Sequence, residues 1–123
     1  MSGVLAVADK KSGIDIYVGT GGGPEGVLAA AALSCLNCQM QTRLVFQDAN
    51  EENRAKKLGI KDLKKKYYVE DMVKGDVIFC ATGVTDGDFV KGIIDVGDAF
   101  QSETLVLHKN SKTNKIIKNQ TKK

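Results

Sequence analysis

The run Ile14-Asp15-Ile16-Tyr17-Val18-Gly19-Thr20-Gly21-Gly22-Gly23-Pro24-Glu25-Gly26-Val27-Leu28-Ala29-Ala30-Ala31-Ala32-Leu33 passes from a β-prone segment through a glycine cluster into a strong helix former. The β-branched and aromatic residues predict a strand over residues 14–18, bounded by glycine on both sides. Four glycines within residues 19–23 do not continue a strand. Pro24 suits the first turn of a helix, where a missing N–H is no loss. Residues 27–33 favour helix and are apolar on every side, so that helix is expected to be buried. Unpaired N–H groups at its start, approached through glycine backbone, form a natural anion site, with phosphate the leading candidate. A tight strand-to-helix turn without a ligand is the plain alternative, although the glycines exceed what a turn requires.

Elements on either side follow from similar signals. Residues 1–8 read as the end of a helix or a strand, and Asp9-Lys10-Lys11-Ser12-Gly13 reads as a turn. Arg43-Leu44-Val45-Phe46 suggests a short strand. A second helix is capped by Asp48 or Asn50, carries acids in its first turn and Lys56-Lys57 in its last, and stops at Gly59. Met72-Val73 falls in a short link before Asp76-Val77-Ile78-Phe79-Cys80-Ala81, which reads as a buried strand. A turn-rich loop from Thr82 to Asp88 follows. Strands are then expected at residues 92–96, 102–108 and 115–118, the last two joined through Asn110-Ser111-Lys112-Thr113-Asn114. Alternating helices and strands point to an α/β layered domain.

Composition narrows the class. The 123 residues allow one compact domain, and 42% hydrophobic with 27% charged residues excludes disordered, collagen-like and coiled-coil chains. The apolar run at residues 27–33 is far short of the ~20 residues that cross a bilayer, so no membrane association is expected. No basic stretch with an apolar core opens the chain, and three cysteines do not pair into a disulfide framework. A cytoplasmic setting is therefore expected. The net charge of +3 is local: Lys109 to Lys123 holds six lysines and no acid, leaving the first 108 residues net negative. Only Arg43 and Arg54 are arginines, so the chain lacks the guanidinium forks that favour nucleic-acid readout. A solvated lysine surface is expected, with a frayed terminus as the economical reading of the tail.

Within the glycine cluster, Gly21-x-Gly23-x-x-Gly26 satisfies a dinucleotide fingerprint, and Asp48 lies at a plausible distance for the ribose acid. Glu25 opposes that reading, because its carboxylate would face a pyrophosphate. A divalent cation between carboxylate and phosphate resolves the conflict and makes Glu25 a metal ligand beside a phosphate-binding backbone.

Residues 21–33 closely resemble the glycine-rich motif of class II fructose-1,6-bisphosphatases, the GlpX type. The resemblance continues through Met40-Gln41-Thr42-Arg43-Leu44, Asn50-Glu51-Glu52-Asn53-Arg54, the run from Gly75 to Asp88, and Ser102-Glu103-Thr104-Leu105-Val106. It implies a layered α/β sugar-phosphatase fold, similar to inositol monophosphatases, of which this chain supplies the C-terminal α/β half. Residues 1–108 would form that half, and residues 109–123 a terminal hairpin strand with a Lys-rich tail. The implied reaction removes the 1-phosphate of fructose 1,6-bisphosphate with Mg²⁺ or Mn²⁺, as in gluconeogenesis; some relatives accept sedoheptulose 1,7-bisphosphate. By resemblance Glu25 is the catalytic residue and metal ligand, and Gly22 binds substrate. The loop from Thr82 to Asp88 matches a family signature for which a structural role is expected.

Family members are longer, and their other metal-binding carboxylates, water-activating threonine and most sugar-phosphate contacts lie in an N-terminal part with no counterpart here. A single carboxylate is a poor Mg²⁺ site, so this chain alone is expected to be inactive. The implied partners are a sugar bisphosphate and further copies in a full-length homo-oligomer. The alternative is a non-catalytic remnant, or a nucleotide- or anion-binding module using the loop from Gly19 to Gly26. Cys35-Leu36-Asn37-Cys38 has CxxC spacing but no second pair, so packing cysteines are expected. Cys80 is expected within a buried strand. His108 is the only histidine and has no evident nucleophile elbow beside it.

Overall fold

The computed structural model describes residues 2–123, so Met1 of the opening segment lies outside the described residues. The segment forms a short helix, α1, Ser2–Ala6. The predicted helix after the glycine cluster is α2, Gly23–Cys35, with Pro24 in its first turn. Asp48 caps α3, Ala49–Lys57, by accepting the Glu51 N–H at 2.9 Å, while Glu51 Oε2 accepts the Gln47 N–H at 2.8 Å. Gly59 ends that helix with φ +92°, a left-handed conformation suited to glycine.

Two antiparallel sheets accompany the helices. The first pairs β1, Gln41–Arg43, with β2, Lys66–Tyr68. One turn of helix, α4, Val69–Met72, follows β2 directly; the Tyr68 N–H donates to Asp71 Oδ2 at 2.9 Å. The second sheet is built on β5, Ala99–His108. Along one edge of β5 lie β3, Ile78–Thr82, opposite its C-terminal half, and β4, Ile94–Asp95, opposite its N-terminal half. Along the other edge, β6, Thr113–Lys122, pairs with β5 from His108↔Thr113 to Ala99↔Lys122.

The core lies where α1 and α2 cover this sheet. Leu5, Ala32, Phe79, Leu105 and Leu107 are buried against one another, with Cys35, Leu36, Ala81, Phe89 and Val90 packed around them. The register explains the pattern: Phe79 faces Leu107 and Ala81 faces Leu105, so alternate residues of β3 and β5 meet the helices.

Five expectations change. Residues 14–18 are not a strand: they are exposed and without regular structure among the described residues, because no chain segment pairs with them. The strand near residue 43 lies earlier, at Gln41–Arg43, and is paired with β2, where no strand was expected. Residues 76–81 are not buried on both faces; Ile78 and Cys80 are exposed because helices cover only the other face. The helix α2 is buried at Ala29, Ala30, Ala32 and Leu33, yet Val27 and Leu28 are 46% and 51% exposed. The Lys-rich tail is not frayed: β6 carries it to Lys122, with Lys118 Nζ 3.3 Å from Glu103 Oε1 and Lys123 Nζ 2.8 Å from Asp95 Oδ1.

Candidate functional site

Gly22 is the N-cap of α2, with extended φ −66° and ψ 157°, and its carbonyl accepts the Gly26 N–H at 3.0 Å. No side chain caps the helix start. The N–H groups of Gly23 and Glu25 therefore lie in the first turn without an intrahelical acceptor, at the positive end of the helix dipole. Glu25 occupies that same turn, and its side chain folds back over the N-cap: a Cβ added to Gly22 would overlap Glu25 Oε2. The two residues singled out by sequence thus meet. A side chain at Gly22 would displace the Glu25 carboxylate from this position.

The chemistry of this corner is limited. Glu25 is exposed, and a carboxylate in the first turn already gains about 0.3–1 kcal/mol from the dipole. No group of three or more His, Cys, Asp or Glu side chains positioned for a metal occurs among the described residues. One carboxylate does not meet the several oxygens that Mg²⁺ requires. These residues do not by themselves fit a complete divalent-cation site, and no hydrolytic step follows from them alone.

A cavity of about 810 Å³ begins at Gly19 and runs past Ile16, Val18, Val4, Leu33 and Met40. A smaller one, about 560 Å³, lies by Asp86, Gln101, Glu103 and Asn119 and includes neither Gly22 nor Glu25.

The signature loop after β3 has structural work. Asp86 Oδ1 accepts the Gly92 N–H at 2.9 Å, and the Gly87 N–H donates to the Val90 carbonyl at 3.1 Å. A Cβ on Gly83 would overlap the Lys91 carbonyl, and one on Gly92 would lie 2.7 Å from Thr85 backbone, so both glycines allow the loop to close on itself.

Sequence reasoning missed one constellation. His108 Nε2 lies 2.8 Å from Asp76 Oδ2, and His108 Nδ1 lies 2.7 Å from Ser111 Oγ, which in turn meets Thr113 Oγ1. Asp76 Oδ1 also accepts the Asn110 N–H at 3.1 Å. The bond from His108 is the main cause holding the Asp76 carboxyl below the usual carboxylate range. Neither cavity is lined by these residues, and the network ties the start of β3 to the β5–β6 turn. The only sequence signal was the histidine at a strand end. Cys35 and Cys38 are free and half-buried; burial chiefly pushes the Cys35 thiol up, away from thiolate character. All the described strand pairs are antiparallel and Asp48 is spent on a helix cap, so the βαβ unit of a dinucleotide site is absent among the described residues.

Comparison with known proteins agrees with the motif pattern. Residues 1–121 match the family described as bacterial fructose-1,6-bisphosphatase, glpX-encoded. A Synechococcus D-fructose 1,6-bisphosphatase class 2/sedoheptulose 1,7-bisphosphatase is 35% identical over 95% of this chain and 38% of its own length. The Haemophilus influenzae fructose-1,6-bisphosphatase class 2 is 38% identical over 81% of this chain and 34% of its own length. A Gloeobacter violaceus relative, named like the Synechococcus protein, is 31% identical over 95% of this chain. The chain thus spans little more than a third of the length of the relatives it matches. With the family matched almost end to end, and the glycine-rich loop and its glutamate in place at the start of α2, the chain belongs to the class II, GlpX-type fructose-1,6-bisphosphatase family.

Proposed function

We propose that this chain forms the part of a class II fructose-1,6-bisphosphatase that holds Glu25 and the glycine-rich loop against the substrate phosphate. The enzyme would hydrolyse the 1-phosphate of fructose 1,6-bisphosphate to fructose 6-phosphate, as in gluconeogenesis. The observation that carries this reading is the placement of the Glu25 carboxylate over Gly22, at uncapped helix N–H groups, in a chain of this family. Backbone at Gly22 and Gly23 would bind and orient the phosphate, and Glu25 would be one of the residues holding Mg²⁺ or Mn²⁺, whose Lewis acidity would supply water activation and charge neutralisation. The remaining oxygen ligands would come from the portion of the relatives that this chain does not match, and the chain without it is expected to be inactive.

The layered inositol monophosphatase-like architecture, the division at residue 108, a cytoplasmic setting and a homo-oligomeric full-length enzyme belong to the same proposal. No helix among the described residues is long and apolar enough to cross a membrane. The experiment is phosphate release from fructose 1,6-bisphosphate with Mn²⁺, by the pure chain and by the chain co-expressed with the part of the Synechococcus relative that it does not match. Release only from the assembled protein supports the proposal. Turnover by the pure chain, or none by a folded assembly, overturns it.

A further inference from the structure

Residues 14–18 have the composition of a strand and no partner. Among the described residues, no hydrogen bond is made by the backbone of residues 15–21, although Ile14 and Gly22 at either end are bonded. Ile16 and Val18, which would share one face of a strand, are 77% and 84% exposed. Only Tyr17 is partly tied down: its ring packs so close to Gly3 of α1 that a Cβ there would lie 2.6 Å away.

The same segment walls the 810 Å³ cavity, whose other sides mix apolar residues, among them Val4, Leu33 and Met40, with the polar Gln41, Thr42 and Glu70. A β-prone backbone with free hydrogen-bonding groups, beside an open trough, has the features of a site for strand addition. Beyond it, Val27 and Leu28 leave the start of α2 half uncovered, in the turns next to Glu25. Apolar surface thus flanks the glycine loop on both sides.

The relatives' length identifies the occupant. The chain spans 34–38% of the proteins it matches, and Glu25 lacks the companion carboxylates a divalent cation needs. We propose that residues 14–18 are the docking edge for a strand from the portion of the family fold that this chain does not match. This assignment rests on the phosphatase reading for the identity of the occupant. A strand seated there lies directly before Gly19, so the polypeptide that carries it arrives beside Gly22 and Glu25 and brings the missing carboxylates to them. Two contacts then form together: backbone pairing along residues 14–18, and side chains of the partner in the trough, against Val4 and Met40 and within reach of Gln41 and Glu70.

The experiment co-expresses this chain with the unmatched portion of the Synechococcus class 2 relative, a tag being placed on that portion. Co-purification and native mass give the complex, amide exchange gives its location, and phosphate release is read separately. A one-to-one complex with amides of residues 15–18 exchanging at least tenfold more slowly than in the free chain is expected. Ile16→Asp with Val18→Asp should weaken the complex at least tenfold. Both side chains are already exposed, so the free double variant keeps its circular dichroism and melting temperature, which separates loss of docking from loss of folding. A complex with that protection but no phosphate release upholds the docking edge and overturns the phosphatase reading. Phosphate release without protection of residues 15–18 does the reverse. The absence of a complex overturns the docking edge, and so does equal protection of these amides in a dimer of this chain alone.

Discussion

Gly22→Ala separates the two demands made on the start of α2. The backbone there, φ −66° and ψ 157°, is open to alanine, so no conformational strain is introduced. Replacing glycine at a compatible position stabilises by about 0.4–1 kcal/mol through the unfolded chain. Alanine is a poorer N-cap than glycine by an amount of similar size, roughly 0.5–1 kcal/mol. These effects offset each other. The new Cβ overlaps Glu25 Oε2, but that atom is the far end of an exposed, flexible side chain. Moving it to another rotamer costs on the order of 1 kcal/mol or less. The melting temperature should therefore shift by no more than about 6 °C, given about 3–6 °C per kcal/mol for a domain of a size between small and mid-sized ones. The Glu25 carboxyl carbon resonance should move, because the carboxylate no longer lies on the N-cap. In the assembled enzyme phosphate release should fall at least about tenfold, since even outer partners of metal ligands are worth about 10–100-fold. A loss of more than about 3 kcal/mol would show that Gly22 is required by the backbone. An unmoved Glu25 resonance would refute the contact itself.

Other predictions concern the scaffold. Leu107, 1% exposed at the centre of the core, should cost about 2–5 kcal/mol when changed to alanine, read by urea unfolding; less than about 1 kcal/mol would place the core elsewhere. Asp48→Ala removes the α3 cap and should cost about 1 kcal/mol, with the loss confined in amide exchange to the first turns of α3. Asp71, Asp76, Asp95 and Glu103 are all held below the usual carboxylate range, first by the Tyr68 N–H, His108, Lys123 and the Lys91 N–H respectively. Each contribution is full above the unfolded pKa, about 4, and is lost as pH falls through the lowered folded value. Stability should thus decline from about pH 4 downward, and less steeply in Asp76→Asn; an unchanged slope would contradict the role of the His108 bond.

The parts of this molecule legible in its sequence are those decided within a few residues. Pro24 after the glycines, Asp48 three residues before Glu51, and Gly59 at positive φ mark helix ends through local backbone chemistry. The β5–β6 turn was legible for the same reason. What failed depended on distant partners. Residues 14–18 have strand propensity, but propensity supplies no neighbour to pair with. Residues 76–81 are apolar enough for two covered faces and receive one, because no second layer lies over Ile78 and Cys80. A strand was expected over residues 115–118 only, with a frayed end beyond it; β5 offers ten consecutive register positions and extends that strand to Lys122. Gly22 and Glu25 were legible because loop and helix start are contiguous. The Asp76–His108–Ser111 network joins residues up to 35 positions apart in the chain and was not legible until β3 and β5 were paired.

The most direct test of the central claim is phosphate release from fructose 1,6-bisphosphate with Mn²⁺ by the assembled protein, comparing Glu25 with Glu25→Gln. The exchange keeps side-chain size at an exposed position, so folding is preserved while the negative charge is removed. Release should fall at least about tenfold with the melting temperature unchanged. Equal release by the two proteins would contradict the assignment of Glu25 as a ligand at the phosphate site.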